Sequence, residues 1–370
     1  MTIDPDLVYQ LALTNIPGVG PVHAKTLVEH FGTAHAIFNA SLHKLQRIDG
    51  IGEMRAKAIR EKPDLAAAEK EVAWMQQHEV EALFVTNANY PQRLLNCYDP
   101  PTLLFRKGPA DLNASKIVAV VGTRSSSDYG KRMTEKVIGG LAAAGVTVVS
   151  GLAYGIDAMA HKASLANQLP TIAVLAHGLD QIYPAENTGL SKEILKQGGA
   201  LLSEYSTATI PDKHNFPTRN RIVAGMSDAV VVIESGAKGG SMLTAELANG
   251  YNRDVFAVPG RITDHKSAGC NLLIRMNKAA LISTAADLLT LMGWTTNGTG
   301  PVSVNLKDLP ALTPVEQKIF DLLDQNETMH LDEINLRSGE ASGAIAAAIL
   351  NLELQNVIAS LRGKTYRLNR

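Results

Sequence analysis

The spacing of hydrophobic positions changes twice along the chain. Residues 1–80 carry apolar side chains at helical intervals in short runs broken by glycine and proline, which predicts several short helices. From residue 81 the apolar positions gather into brief runs rich in valine and isoleucine, most of them followed by an amphipathic stretch. Strands are predicted at Leu83–Thr86, Leu103–Arg106, Ile117–Val121, Val146–Val149, Thr171–Leu175, Ala200–Ser203, Ala229–Ile233, Val255–Ala257 and Ala279–Ile282. Helices fall between most of them, notably at Lys131–Ala144, Asp157–Asn167, Pro217–Met226 and Thr244–Tyr251. This alternation implies an α/β fold, a doubly wound, extended Rossmann-like and mainly parallel sheet. Such sheets bind ligands beyond the carboxyl ends of their strands.

The pattern lapses over 293–311, a stretch that opens with Gly-Trp-Thr-Thr-Asn-Gly-Thr-Gly-Pro and reads as a linker. It resumes with a capping box, Thr313 at the N-cap and Glu316 at N3, which starts a helix running to about Asp324. Helices over Leu331–Arg337 and Ser342–Gln355 come next, then a β-ribbon over Val357–Leu368 around Arg362-Gly-Lys364. Three helices and a ribbon suggest a winged helix. Its third helix has no Lys or Arg, so it is expected to contact protein, or to touch DNA through the wing alone, rather than read base sequence. The expected divisions are 1–80, 81–292, the linker 293–311 and 312–370.

Within 1–80 two near-copies stand out. Ile16-Pro-Gly-Val-Gly20 is followed by Lys25, and Ile48-Asp-Gly-Ile-Gly52 by Lys57. This resembles the SAM-like tandem helix-hairpin-helix unit, whose glycines let backbone approach a DNA phosphate. A small bundle with two tight turns and no ligand fits the same pattern, and His23, Glu29 and Glu53 dilute its charge.

Composition limits the partners. A chain of 370 residues with 45% apolar and 5% aromatic content is an ordinary soluble α/β protein of two or three domains. Its net charge of −1 argues against a surface that grips nucleic acid over its whole extent, so a polyanion must be met locally. Cys97 and Cys270 give no disulfide framework, the histidines fall at no metal-ligand spacing, and neither metal nor cofactor is expected. The first residues form no signal peptide and no apolar run spans a bilayer, so a cytoplasmic protein without membrane contact is expected.

The strand ends carry the chemistry. Val121 leads into Gly122-Thr-Arg-Ser-Ser-Ser-Asp-Tyr-Gly130, which includes Thr123, Arg124 and Ser125. Val149 leads into Ser150-Gly151-Leu-Ala-Tyr-Gly-Ile-Asp157, and Ile233 into Glu234-Ser-Gly-Ala-Lys238-Gly-Gly240-Ser241. Such Gly/Ser-rich turns before helix starts offer N–H groups to an anion. Neither G-x-G-x-x-G nor the Walker pattern is present, so no dinucleotide or ATP site is signalled. The stretch Lys213-His-Asn-Phe216-Pro-Thr-Arg219-Asn-Arg221 adds three cations and an aromatic just where a helix should start at Pro217. Ile222, Val223 and Met226 would face a core, while Arg219 and Arg221 should point in different directions. A cation beside an exposed ring suits a phosphate joined to a flat base. The same residues would also fit a surface loop whose arginines pair with carboxylates.

The ordered blocks V-G-T-R, S-G-x-A-x-G-I-D, Y-P-x-x-N, K-x-x-F-P-x-R-N-R, G-S-x-x-T-A and V-F-A-V-P-G, between Asn89 and Asp287, closely resemble the DNA-processing protein A (DprA, or Smf) family. The resemblance implies a protein that binds single-stranded DNA without sequence preference, protects it, and loads the RecA recombinase on it in natural transformation. It also implies a homodimer through the Rossmann-like domain, its contact expected among apolar residues after Val255. Carried over by motif, Arg124, Lys213 and Phe216 line the DNA pocket, with Gly122, Thr123, Ser125, Gly151, Arg219, Arg221, Lys238, Gly240 and Ser241 as further candidates. Two departures are Ala176, where relatives usually carry Gly, and Lys278-Ala279 in place of Gly-Ala. The alternative is an enzyme. Gly239-Gly-Ser-Met-Leu-Thr-Ala-Glu246 loosely resembles the P-G-G-x-G-T-x-x-E of nucleoside-monophosphate phosphoribohydrolases, with Glu246 as the acid.

Overall fold

The computed structural model describes residues 6–61, 65–294, 312–326, 328–355, 357–361 and 365–368. The chain divides into two units, 1–292 and 293–370. The linker expected over 293–311 lies, beyond Trp294, outside the described residues, as do Arg362-Gly-Lys364 of the ribbon.

The first unit begins with six helices: α1 (Leu7–Thr14), α2 (Pro21–Phe31), α3 (Ala34–Asn39), α4 (Leu42–Gln46), α5 (Glu53–Arg60) and α6 (Leu65–Gln77). The two repeated turns are hairpins in which Gly18 and Gly50 take φ of 77° and 76°, left-handed values that glycine adopts without strain. Gly20 and Gly52 then cap α2 and α5. Arg55 stitches the hairpins together: Nε donates to the Gly18 carbonyl at 2.7 Å and Nη1 to that of Gly50 at 2.9 Å.

The sheet of this unit contains β1 (Val80–Phe84), β2 (Leu103–Lys107), β3 (Ile117–Val121), β4 (Thr147–Ser150), β5 (Thr171–Leu175), β6 (Ala200–Ser203), β7 (Ala229–Val232), β8 (Asp254–Ala257) and β9 (Ala280–Leu281). Between them come α7 (Gln92–Leu95), α8 (Asp128–Leu141), α9 (Ile156–Ala166), α10 (Thr188–Lys196), α11 (Asn215–Gly225), α12 (Gly240–Gly250) and α13 (Ala268–Arg275), and α14 (Ala285–Leu291) follows β9. The spatial order is β1-β2-β6-β5-β4-β3-β7-β8-β9. Pairing is parallel from β6 through β9 and antiparallel where β2 joins β1 and β6. β3 (Ile-Val-Ala-Val-Val) and β5 are buried along their whole length, as continuous apolar strands covered on both faces must be. At the amino ends of β3 and β7, Asp228 accepts from Arg93 at 2.7 and 2.9 Å and from the Ile117 N–H at 2.9 Å. That ties the two strands together at their amino ends, remote from the glycine-rich loops that leave their carboxyl ends.

The helices share one apolar core with the sheet, and α6 adds a polar tie to it. Glu71, largely buried, accepts from the N–H of Thr207 at 3.0 Å and from its hydroxyl, in the connection from β6 to α11. No helix among the described residues is long and apolar enough to cross a membrane.

The second unit contains α15 (Pro314–Gln325), β10 (Met329–His330), α16 (Leu331–Ser338), α17 (Ser342–Leu354), β11 (Ile358–Leu361) and β12 (Thr365–Leu368). The capping box is formed: Thr313 accepts from the Glu316 N–H at 3.3 Å and Glu316 from the Thr313 N–H at 2.8 Å. The ribbon is joined by β10 into a three-stranded sheet, β10-β12-β11, packed with three helices: a winged helix.

Candidate functional site

From β3 the chain winds outward through β4, β5 and β6, then returns to place β7 on the other side of β3. The loops that leave β3 and β7 therefore part in opposite directions, and a crevice opens at this switch point. A cavity of about 410 Å³ lies there, between the loops after β3, β4 and β7 and the first turns of α11 and α12.

The loop after β3 is held from below. A side chain at Gly122 would come within 2.5 Å of Ile156 and 2.9 Å of the Glu234 carbonyl, so only glycine fits. The Thr123 N–H donates to the Glu234 carbonyl at 2.7 Å. The Glu234 side chain, 1% exposed, accepts from the Ser127 N–H at 2.8 Å and the Ser127 hydroxyl at 2.5 Å. This fixes the loop and leaves Arg124 at the surface. Its guanidinium lies over the ring of Phe216, 4.9 Å from the centroid. Phe216 stands in the first turn of α11, and its ring is 5.9 Å from that of Tyr183, tilted by 49°. Cation and rings meet at the mouth of the crevice.

Its floor is a buried charge. Arg219 is 4% exposed and donates from Nη1 to the carbonyls of Gly151, at 2.6 Å, and Val174, and from Nε to Asn220 at 3.2 Å. A Cβ on Gly151 would lie 2.6 Å from that guanidinium. Asp157 accepts from the Gly151 N–H at 3.1 Å. Burial pushes the Arg219 pKa down to about 10 while the Asp157 charge pulls it back up, so the guanidinium stays charged at neutral pH. Burial pushes the Asp157 carboxyl up, against the pull of Arg219.

Gly122, Thr123, Arg124, Gly151, Phe216, Arg219, Gly240 and Ser241 all line this cavity. Ser125 lies on an adjoining groove. Lys213 and Lys238 are exposed and outside the lining. Arg221 is not in the lining either: it is 8% exposed, donates from Nη2 to both Glu204 oxygens at 2.5 Å, and donates from Nη1 to the Asp99 carbonyl. Two residues apart on α11, Arg219 and Arg221 do face different ways, but both serve internal acceptors. The helix starts at Asn215, ahead of Pro217. Sequence reasoning passed over Tyr183, Tyr154 and Asp157 as individuals although they stand in the Y-P-x-x-N and S-G-x-A-x-G-I-D blocks. For Glu234 there was no signal, because its partner Ser127 is remote in sequence. Glu246 lies outside the lining, with its side chain 57% exposed and paired with Lys278 at 3.7 Å.

Residues 81–293 match the family model for DNA recombination-mediator protein A. Residues 11–62 match the SAM-like helix-hairpin-helix tandem, and 307–364 the DprA winged helix domain. Protein Smf of Synechocystis is 34% identical over 97% of this chain and 98% of its own length. The solved structure of DNA processing protein A from Streptococcus pneumoniae is similar with a TM-score of 0.67 and 35% identity, covering 78% of this chain and 98% of that one. The corresponding protein from Helicobacter pylori, whose structure is described in terms of its single-stranded DNA binding mode, has a TM-score of 0.53 and 33% identity, covering 58% of this chain and 95% of that one.

Proposed function

The chain belongs to the DNA recombination-mediator protein A family, and from that premise we propose that it binds single-stranded DNA without sequence preference, shields the strand and loads the RecA recombinase on it during natural transformation. The observation that carries this reading is the cluster of Arg124, Phe216 and Tyr183 at the crevice mouth. An unpaired base stacks on an aromatic ring or a guanidinium plane whatever its identity, and the phosphate beside it meets the Arg124 charge. A protein of this kind binds and turns nothing over, and it works in the cytoplasm. The likeness to the Helicobacter pylori protein, described as binding single-stranded DNA, supports the choice of ligand.

Bases in a duplex are already stacked and cannot enter such a site, so single strands should bind well above matched duplex. An electrophoretic titration of oligonucleotides of mixed sequence measures this. Equal affinity for single and double strands would remove the reading.

We also place a homodimer in the sheet domain. Beyond Val255, Ile262 is 95% exposed, and Met276 and Leu281 are about half exposed, Leu281 on the edge strand β9. A two-fold pair of crevices on one strand makes the second contact intramolecular, and avidity then rises by about 10²–10⁴. Light scattering should report a dimer at micromolar concentration. Ile262→Asp with Leu281→Asp should give a monomer that keeps weak binding to short oligonucleotides and loses cooperative binding to long ones. A strict wild-type monomer that binds long strands tightly would refute the dimer.

A further inference from the structure

Arg124 borders a second hollow besides the crevice. On its far side an open groove of about 540 Å³ runs between the starts of α8 and α9, lined among others by Ser125, Ser126, Lys131, Tyr154 and Lys162. The groove lining holds three cations, Arg124, Lys131 and Lys162, and no acid, in a chain whose net charge is −1. Among the described residues no carboxylate forms an ion pair with Arg124 or Lys162. Lys131 has only a loose one, 3.7 Å from Asp128, with both side chains more than half exposed. Two acids stand close by: Glu186 accepts from the Tyr154 hydroxyl at 2.7 Å, and Asp157, within electrostatic reach of Arg124, is buried behind the groove beside Arg219.

The groove is continuous with the aromatic cluster. Arg124 and Tyr154 also line the small hollow that holds Phe216 and Tyr183, so both residues face either side. Crevice and groove therefore meet at one cation. The sequence marks Lys131 and Lys162 only as positions on two separate predicted helices, Lys131–Ala144 and Asp157–Asn167. The pairing of α8 with α9 brings them together.

We propose that this groove is a second subsite, which takes the phosphodiester backbone of the strand whose base is held at Phe216 and leads it away past Arg124. The inference rests on the reading of the crevice as a single-stranded DNA site. In the groove the contacts are ionic and insensitive to base. They extend the bound length rather than add a stacking position. Lys131 and Lys162 each neutralise a backbone phosphate, and each such contact adds about 0.7 to the salt slope of binding to a single strand.

The test compares oligothymidylates of about four and about twelve nucleotides, a span typical of single-strand binding sites, at several salt concentrations. For the wild type the longer probe should bind more tightly and with the steeper salt dependence. Lys131→Gln with Lys162→Gln should leave the short probe unchanged. For the long probe the salt slope should fall by about 1.4 and affinity by on the order of tenfold. Lys131→Arg with Lys162→Arg should keep both, which separates charge from packing. A long-probe slope unchanged in the Gln variant, while Arg124→Ala still weakens binding, would sink the groove and leave the crevice standing. Failure of the wild type to bind either probe would sink the crevice reading itself. Lysine-dependent binding of inorganic phosphate or thymidine monophosphate as tight as that of the long probe would make the groove a free-phosphate site and overturn the proposal.

Discussion

A protein carrying Arg124→Ala together with Phe216→Ala should lose about two to four orders of magnitude in affinity for single-stranded DNA. Stacking on an aromatic side chain contributes about 1–3 kcal/mol per base. A hydrogen bond to a charged group contributes about 1.5–3 kcal/mol. The sum is roughly 2.5–6 kcal/mol, and the upper end is not expected, because guanidinium and ring touch and their losses overlap. The two single variants should separate by mechanism. Arg124→Ala should flatten the salt slope by about 0.7 per phosphate released, and Phe216→Ala should lower affinity at every salt with the slope unchanged. Both residues are at the surface or partly so, and neither side chain fills the core, so both variants should fold. Fluorescence anisotropy with a labelled oligonucleotide gives the three curves. A double variant with wild-type affinity would move the DNA site elsewhere on the chain.

Arg221→Ala should do something different: destabilise the first unit by about 3–5 kcal/mol and leave the DNA affinity of the folded protein nearly unchanged. Arg221 and Glu204 have side chains 9% and 16% exposed, and the pair is bidentate. Removing the guanidinium strands the Glu204 carboxylate, along with the Asp99 carbonyl it also serves. Burial already pushes the Glu204 carboxyl up against the pull of Arg221, so without the arginine it would protonate more readily. A shift of this size lowers the melting temperature by roughly 10 °C. Arg221→Leu with Glu204→Leu should recover most of the loss, because it removes both charges together and keeps the volume apolar. If the single variant does not fold, that double variant still reports. A stable Arg221→Ala protein with weakened DNA binding would return Arg221 to the interface.

How far the sequence reveals this protein differs between fold and site. The strands of the sheet are written in runs such as Ile117–Val121, whose continuous burial needs no partner information to be expected. The glycine-rich loops are legible too: glycines that end a strand announce a turn before a helix. The strand order is not legible, because nothing in β3 or β7 alone says that they are neighbours. Without that adjacency, Glu234 looks like one more loop acid, whereas it grips Ser127 and shapes the loop that presents Arg124. The arginines of α11 show the same limit. Helical geometry separates Arg219 from Arg221, but only the carbonyls of Gly151 and Val174, and the carboxylate of Glu204, show that both turn inward. Lys213, the most suggestive cation in the sequence, stands in the open outside the lining, while Lys162, which nothing in the sequence sets apart on its predicted helix, borders the groove.

The grip of Glu71 on Thr207 adds a polar tie, in the connection from β6 to α11, between helices and a sheet that already share one apolar core. Proteins open locally in cooperative patches, and a patch includes whatever must let go together. Thr207 cannot leave its place without either losing the carboxylate or carrying α6 with it. The segment that runs on to Lys213 and Phe216 thus opens at a frequency set partly by how firmly the amino-terminal helices are seated. Anything that loosens those helices lengthens the time this segment spends detached, and anything that clamps them, a protein partner included, shortens it.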